Sequence, residues 1–190
     1  MKNIAIFASG SGTNAENIIR YFSTRNCAKV KLVLCNRQQA LVIKRAEDLG
    51  VKTIFFDRND FYTSSRVADI LSENSIDFIV LAGFLWLVPD IITSTFNRRI
   101  VNIHPALLPS YGGKGMYGDI VHKAVIASGD RESGITIHYV NRNYDEGDVI
   151  FQAKCTVEAG DDHESLASKV HALEYEHFPL VIEELIERLA

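Results

Sequence analysis

Residues 4–22 read IAIFASGSGTNAENIIRYF, and this stretch decides the fold. Residues 4–7 are apolar at every position, as expected of a strand that is buried on both faces in a parallel sheet. Residues 15–22 have the pattern of a helix, and small residues with two glycines separate the two segments. The stretch therefore predicts a strand, a tight turn and a helix, which is the first unit of an α/β fold.

The same alternation continues along the chain. Further strands are predicted over residues 30–35, 52–56, 78–82 and 99–104, with helices over 40–49, 64–73 and 89–96 between them. Beyond a glycine-rich loop at 112–118, the pattern predicts a helix over 119–127 and a hairpin-like strand pair over 135–140 and 149–157. The tail over 163–189 is helical in pattern, and Pro179 should kink it or split it. We predict a mostly parallel, Rossmann-like sheet of seven strands with an antiparallel C-terminal part and helices on both faces.

Composition narrows the class of protein. Hydrophobic residues make up 47% of the 190 residues, which suits a single domain over residues 1–190. The formal net charge is −4 with no basic patch, and no apolar run could cross a membrane, so we expect neither nucleic acid nor membrane as a partner. Residues 1–4 lead directly into a strand pattern and lack the apolar segment of a signal peptide, so we expect none. Cys27, Cys35 and Cys155 form no CxxC pair, which favours reduced thiols and a cytoplasmic location.

The turn after the first strand is a candidate anion site. Free backbone N–H groups and the positive end of the helix dipole meet there, beside Ser11, Gly12, Thr13 and Asn14. Glycines let the backbone approach a phosphate closely, and the hydroxyl and amide groups can add hydrogen bonds. An ordinary tight turn with Thr13 or Asn14 as the N-cap is the alternative interpretation. Its position directly after the first strand favours a phosphate.

The residues at the end of the second strand indicate which phosphate-bearing ligand the loop could bind. The glycine spacing fits the loose dinucleotide fingerprint, but that fingerprint requires an acidic residue to hold a ribose. Here the second strand ends in Cys35-Asn36-Arg37, which argues against NAD and leaves NADP open. A phosphate monoester on a small substrate also fits this loop.

A second candidate site lies in RIVNIHPALLPSYGGKG, residues 99–115. Asn102 and His104 share one face of a strand end, because successive side chains alternate between faces. His104 could act as a general acid, and Asn102 could donate to a developing oxyanion. A carboxylate from the loop 141–148 would raise the pKa of His104 if it lay beside the ring, although acidic turn residues are usually solvated. No serine elbow or HExxH pattern is present, so we expect neither a covalent intermediate nor a catalytic metal.

Six sequence blocks now point to a family. They are FASGSGTN at 7–14, VLAGFLWLVP at 80–89, VNIHPALLPSYGGKG at 101–115, GITIHYV at 134–140, DEGDVIFQ at 145–152 and HFPLVI at 177–182. In this order they resemble the folate-dependent phosphoribosylglycinamide formyltransferases of purine biosynthesis, over nearly the whole chain. The resemblance implies a formyltransferase fold with a phosphate-binding half at 1–100 and a catalytic, folate-binding half at 101–190.

The resemblance also implies roles for individual residues. The family's catalytic set falls on Asn102, His104 and Asp145, and its phosphate loop falls on Gly12, Thr13 and Asn14. The glutamate that contacts the glycinamide part falls on Glu174. The folate pocket falls on a larger set, namely Leu85, Trp86, Leu87, Val88, Asn102, Asn141 and Tyr144.

The implied reaction transfers a formyl group from 10-formyltetrahydrofolate, as cosubstrate, to the amine of glycinamide ribonucleotide, without a metal. Asn102 and a protonated His104 would stabilise the oxyanion, and Asp145 would keep His104 charged. The resemblance leaves the assembly as a monomer or a homodimer. Rival interpretations are methionyl-tRNA formyltransferase, formyltetrahydrofolate hydrolase and a non-catalytic phosphate-binding module. The net charge and the short span of the chain count against the first two, and the catalytic set counts against the third.

Several positions depart from the family pattern or stay open. Trp86 stands where relatives carry an arginine, and residues 112–117 replace a histidine-bearing stretch. Thr136 and His138 share a strand face that could approach the site, but ordinary strand packing explains them equally well. The remaining histidines are expected on the surface or in the core, namely His122, His163, His171 and His177.

Overall fold

The computed structural model describes residues 1–189, which build one seven-stranded sheet in the order β3-β2-β1-β4-β5-β6-β7. The strands are β1 (Lys2–Ala8), β2 (Ala28–Cys35), β3 (Lys52–Phe55), β4 (Phe78–Leu81), β5 (Ile100–His104), β6 (Glu132–Tyr139) and β7 (Val149–Thr156). The first five strands pair in parallel, and β6 and β7 pair antiparallel to their neighbours. The predicted fold class, strand number and antiparallel C-terminal part are confirmed.

Seven helices surround the sheet in the described part of the chain. They are α1 (Thr13–Phe22), α2 (Leu41–Asp48), α3 (Arg58–Tyr62), α4 (Arg66–Glu73), α5 (Asp90–Thr95), α6 (Asp119–Ser128) and α7 (His163–Glu187). Within residues 1–189, none of these helices combines the length and apolar character that spanning a bilayer requires.

The sheet carries a hydrophobic core on each face, and β1 shows why. Ile4 and Ile6 of β1 point into one core with α1 and α7, whereas Ala5 and Phe7 point into the other with Phe56. All of these side chains are at most 1% exposed. Both faces of this parallel sheet are covered, so a central strand such as β1 has apolar residues at successive positions and does not alternate between polar and apolar.

The sequence predicted that Pro179 would kink or split the C-terminal helix. Splitting is wrong, because α7 continues through Pro179. Proline has no N–H to donate to the carbonyl four residues earlier, which here belongs to Tyr175. Asn17 of α1 donates its Nδ2 to that carbonyl at 2.9 Å. A side chain from a neighbouring helix thus replaces the missing helical hydrogen bond.

Helix α3 was not predicted from the sequence pattern. It spans only five residues and has no long apolar period to reveal it. Its start is fixed by a capping box, in which the Asp57 side chain accepts from the Asp60 N–H and the Asp60 side chain accepts from the Asp57 N–H. This helix brings Arg58 and Tyr62 to the edge of the sheet where the strands end.

Candidate active site

One cavity lies beyond the carboxyl ends of β1, β4 and β5, where ligands bind in open α/β sheets. Its volume is about 670 Å³. The loop after β1 and the end of β5 both line it, so the two candidate sites of the sequence are parts of one cavity. The glycine-rich segment 113–118 forms a further part of the wall.

The structure brings Asn102, His104 and Asp145 together, although Asp145 lies far beyond His104 in the sequence. His104 Nδ1 lies 3.6 Å from Asp145 Oδ2, and Asn102 Nδ2 donates a long hydrogen bond of 3.4 Å to Asp145 Oδ1. The side chains of His104 and Asp145 are only 4% and 12% exposed. A buried carboxylate between an amide and an imidazole is suited to stabilising charge that appears during a reaction.

The hydrogen bonds of His104 fix which ring nitrogen can titrate. His104 Nε2 lies 2.8 Å from the Tyr111 carbonyl oxygen, which can only accept, so Nε2 carries the proton. Nδ1 is then the nitrogen that gains or loses a proton, and it faces Asp145. Proton exchange with a ligand is thereby directed to the Asp145 side of the ring.

The surroundings of His104 and Asp145 shift the pKa of each side chain. Burial lowers the pKa of His104, and the nearby Asp145 carboxylate, which raises it, does not overcome that effect. Burial therefore favours the neutral ring in the ligand-free site, and the imidazolium that we expect during the reaction stays a prediction. Burial also raises the pKa of Asp145, but His138, His104 and the Gly113 N–H outweigh it and hold the pKa below its usual value. Asp145 stays ionised.

His138 holds Asn102 in place, a role that the strand pattern left open. Its Nδ1 donates to the Tyr139 carbonyl at 2.8 Å, so its Nε2 is free to accept from Asn102 Nδ2 at 3.1 Å. One N–H of the Asn102 amide is thus bound by His138, and the other points toward Asp145. The second N–H, whose hydrogen bond to Asp145 is long at 3.4 Å, is the one that a substrate oxygen can take over.

Backbone geometry places Asp145 and explains the glycine two residues later. Asp145 has φ +56°, a left-handed conformation that aspartate tolerates better than most residues, and its Oδ2 accepts from Gly113 N at 2.9 Å. A Cβ at Gly147 would lie 1.7 Å from the Tyr139 carbonyl oxygen. Only glycine lets the loop pack onto β6 closely enough to bring Asp145 against His104.

The predicted phosphate loop starts α1. Gly12 occupies the N-cap position in the left-handed region, with φ +76°, and a Cβ there would lie 2.4 Å from the Val42 Cβ. Ser11, Gly12, Thr13 and Asn14 all line the cavity. No side chain caps α1, so the alternative interpretation with Thr13 or Asn14 as the N-cap is wrong. The N–H groups of the first turn therefore remain free for a ligand.

Asn14 connects this loop to α7. Its Nδ2 donates to Glu174 Oε2 at 2.8 Å, and both side chains line the cavity. Glu174 is only 5% exposed, and burial raises its pKa, although the Asn14 hydrogen bond and His171 act in the opposite direction. The predicted glycinamide contact therefore lies directly beside the predicted phosphate loop.

The predicted folate residues divide into two groups. Leu85, Trp86 and Tyr144 line the cavity together with Asn102, whereas Leu87, Val88 and Asn141 are not part of its wall. Val88 instead packs in the core beneath, where it is 4% exposed. The roles of all seven residues in folate binding stay predictions.

Several cavity residues were not among the predicted site residues. Arg58 and Tyr62 come from helix α3, which the sequence pattern did not predict, and the guanidinium of Arg58 lies 5.0 Å from the Trp86 ring centroid. The Asp57–Asp60 capping pattern is the sequence signal that could have revealed them. Further basic or histidine side chains in the cavity wall are those of Arg37, Lys114, His122 and His171.

Comparison with known proteins agrees with this geometry. A family model described as formyl transferase matches residues 2–182. A chloroplastic phosphoribosylglycinamide formyltransferase of Arabidopsis thaliana is 39% identical, over 98% of this chain and 67% of that protein. The Bacillus subtilis phosphoribosylglycinamide formyltransferase is 31% identical, over 98% of this chain and 95% of that protein. The crystal structure of glycinamide ribonucleotide transformylase 1 from Geobacillus kaustophilus has a TM-score of 0.89 and 36% identity, covering 98% and 99% of the two chains.

The chain belongs to the formyl transferase family, as the match over almost its whole length shows. Within that family, the bacterial relatives that it matches nearly end to end are phosphoribosylglycinamide formyltransferases, and the chain is an enzyme of this group.

Proposed function

We propose that this enzyme transfers the formyl group of 10-formyltetrahydrofolate to the amine of glycinamide ribonucleotide, in purine biosynthesis. The products are formylglycinamide ribonucleotide and tetrahydrofolate. The observation that carries the proposal is the continuous cavity, which joins a phosphate-type loop at residues 12–14 to the Asn102, His104 and Asp145 group. A substrate with a phosphate at one end and an amine at the other fits this arrangement.

The two ends of the ribonucleotide have separate tasks in this proposal. The free N–H groups at the start of α1 hold the phosphate, with the side chains of Ser11, Thr13 and Asn14 beside them. Glu174, fixed by Asn14, accepts from the glycinamide part. Binding energy from the remote phosphate then positions the amine for attack, which converts an encounter between two molecules into a reaction within one complex.

The folate lies on the opposite wall of the cavity. Leu85 and Trp86 supply flat apolar surface, and Tyr144 approaches from the loop that carries Asp145. A pteridine ring is flat and mostly apolar at its faces, so an aromatic surface such as the Trp86 ring suits it. The donor's formyl group then points toward Asn102.

In the reaction, the amine nitrogen attacks the formyl carbon, a C–N bond forms and the carbonyl oxygen becomes an oxyanion. The N–H of Asn102 that faces Asp145 donates to that oxygen, in place of its long hydrogen bond to the carboxylate. The attacking nitrogen gives one proton to Nδ1 of neutral His104, and Asp145 stabilises the resulting imidazolium. The imidazolium then protonates the folate nitrogen as its bond to the formyl carbon breaks. One proton leaves the amine and one reaches the folate, so His104 ends neutral as it began.

The proposal is tested by mixing the purified enzyme with a stable 10-formyl folate, with and without glycinamide ribonucleotide. The absorbance of the deformylated folate reports turnover. We expect a rate that requires the ribonucleotide and falls roughly 10²–10³-fold in Asn102→Ala, since an oxyanion donor is lost. Asp148→Asn, in an exposed ion pair with Arg98, is the control and should keep full activity.

Other outcomes of that assay would contradict specific parts of the proposal. A rate without ribonucleotide would indicate a hydrolase on the same scaffold. Tight folate binding without turnover in either mixture would indicate another formyl acceptor or a binding role. Near wild-type turnover in Asn102→Ala would overturn the role of that amide.

We also propose that the enzyme works in the cytoplasm as a monomer or homodimer, with small molecules as its only partners. The three cysteines carry free thiols, which suits a reducing compartment. Light scattering on the purified protein measures its mass, and a mass above that of a dimer would contradict the assembly.

A further inference from the structure

His122 is a buried histidine without a hydrogen-bond partner, on the wall of the substrate cavity. It is 2% exposed, and its Nδ1 is buried and contacts no donor or acceptor within residues 1–189. The other buried histidines differ, since His104 donates to Tyr111 and His138 uses both ring nitrogens. Buried polar groups in native proteins nearly always have a partner, so an exception inside a substrate cavity points to a ligand.

The state of the ring limits what that ligand group can be. Burial, and secondly His171, lower the pKa of His122 to about 4, and Asp119, which raises it, does not compensate. His122 is therefore neutral at pH 7, with one N–H donor and one lone pair. A phosphate offers only acceptors and favours a cation, whereas a hydroxyl both donates and accepts. A neutral buried imidazole is therefore better matched to a hydroxyl.

The position of His122 decides which hydroxyl it meets. Its ring centroid lies 6.3 Å from that of His171, whose Nε2 lies 4.0 Å from Glu174 beside the phosphate loop. His104 lines the same cavity at its catalytic end. In the proposed binding mode, a ribonucleotide that reaches from Asn14 to His104 passes His122 with its middle part. That middle part is the ribose.

We propose that His122 is a ribose-binding residue, which hydrogen-bonds a sugar hydroxyl of the ribonucleotide and makes the enzyme prefer it over a deoxyribose analogue. This inference rests on the proposed function. It adds a selectivity for the sugar that the formyl transfer chemistry does not itself require.

The experiment measures kcat/KM for glycinamide ribonucleotide and for its 2′-deoxy and 3′-deoxy analogues, with the wild-type enzyme and His122→Ala. We expect the wild-type enzyme to discriminate against at least one analogue by about five- to a hundredfold, the effect of one stranded buried polar group. In His122→Ala, kcat/KM for the ribonucleotide should fall by a similar factor, mainly through KM, and that discrimination should fall at least about fivefold. His122→Asn, whose amide can donate and accept near the position of Nδ1, should restore part of it.

Three outcomes would overturn the proposal. These are a wild-type enzyme that treats all three substrates alike, a His122→Ala variant that keeps the full discrimination, and equal losses with every substrate. Dissociation constants of the three ligands give the same comparison if His122→Ala turns over too slowly. Absence of any ribonucleotide-dependent turnover in the wild-type enzyme would instead reject the proposed function itself.

Discussion

Thr136 supports the segment that follows β5, and removing its hydroxyl should destabilise the fold. The side chain is fully buried on β6, where the residue pairs with His104 of β5. Its Oγ1 donates to the Ala106 carbonyl at 2.7 Å and accepts from Leu108 N at 2.9 Å and from Gln152 Nε2 at 2.8 Å. One hydroxyl thus satisfies two backbone groups of the segment directly after His104.

The size of the effect can be worked out from those bonds. Thr136→Val keeps the shape of the side chain but strands the carbonyl of Ala106 and the N–H of Leu108. Ala106 is fully buried and Leu108 is 8% exposed, so water cannot replace the hydroxyl without a rearrangement. Each stranded buried group costs about 1–3 kcal/mol, which gives a loss of roughly 2–6 kcal/mol. Gln152 adds little, because its Nε2 also donates to the Leu108 carbonyl.

Urea unfolding of the wild-type enzyme and three variants measures this difference. Thr136→Ser keeps the hydroxyl and loses one methyl group, so it should cost only about 1 kcal/mol. Thr156→Val lies on an exposed position of β7 and should be nearly neutral. If Thr136→Val unfolds at the same urea concentration as Thr136→Ser, the hydroxyl does not hold the loop and the reasoning is refuted.

Three further predictions concern the site. Asp145→Asn should lower kcat roughly 10²–10³-fold with little change in KM, because the charge that stabilises the His104 imidazolium is lost; steady-state kinetics measure it. Gly147→Ala should destabilise the fold by roughly 1–3 kcal/mol in urea unfolding, because its Cβ would overlap the fixed Tyr139 carbonyl. Burial raises the pKa of Glu174 above its ordinary 4.5, so its contribution to stability is full below pH 4.5 and is lost as the pH rises through the folded-state pKa. Glu174→Gln, which carries no charge, should therefore raise the melting temperature at pH 8 and give no gain at pH 4.

Each of these predictions has a matched control in the chain. Asp148→Asn leaves the catalytic carboxylate in place, and Gly160→Ala adds a Cβ that meets no atom within 4 Å. Glu176→Gln removes an exposed charge two residues from Glu174. A kcat for Asp145→Asn equal to that of its control would contradict the assigned role. If Gly147→Ala and Gly160→Ala unfold at the same urea concentration, the prediction for Gly147 is contradicted. If Glu174→Gln and Glu176→Gln change the melting temperature equally at pH 4 and pH 8, the prediction for Glu174 is contradicted.

The fold was predictable because its signals are local. An apolar strand such as residues 4–7 records burial on both faces, and each following helix has its own apolar period. The strand face shared by Asn102 and His104 results from the two-residue period of a strand. Helix α3 lacked such a signal, since a helix of five residues is too short to show an apolar period. The continuity of α7 at Pro179 depends on Asn17, which lies so far away in the sequence that no local pattern contains it.

The grouping of Asn102, His104 and Asp145 was predictable, whereas part of the cavity wall and the electrostatics of the site were not. Family resemblance placed Asp145 beside His104, and the structure agrees. The depth of burial is a property of the packed chain, however, and it lowers the pKa of His104 below what the carboxylate alone would give. The same limit applies to His122, because a histidine in a helical pattern carries no sign of whether its nitrogens will find partners.

Opposite pKa shifts in one cavity show how burial prepares the reaction. Burial lowers the pKa of His104 and raises that of Glu174, so both side chains favour their uncharged forms relative to water. Asp145 is the exception, because its carboxylate accepts from the N–H groups of Gly113 and Asn102 and its pKa stays below the usual value. In the proposed reaction, a proton released by the attacking amine therefore meets a neutral imidazole with a fixed carboxylate behind it. The charge of Asp145 is in place before the transition state forms, and the protein need not reorganise to stabilise it.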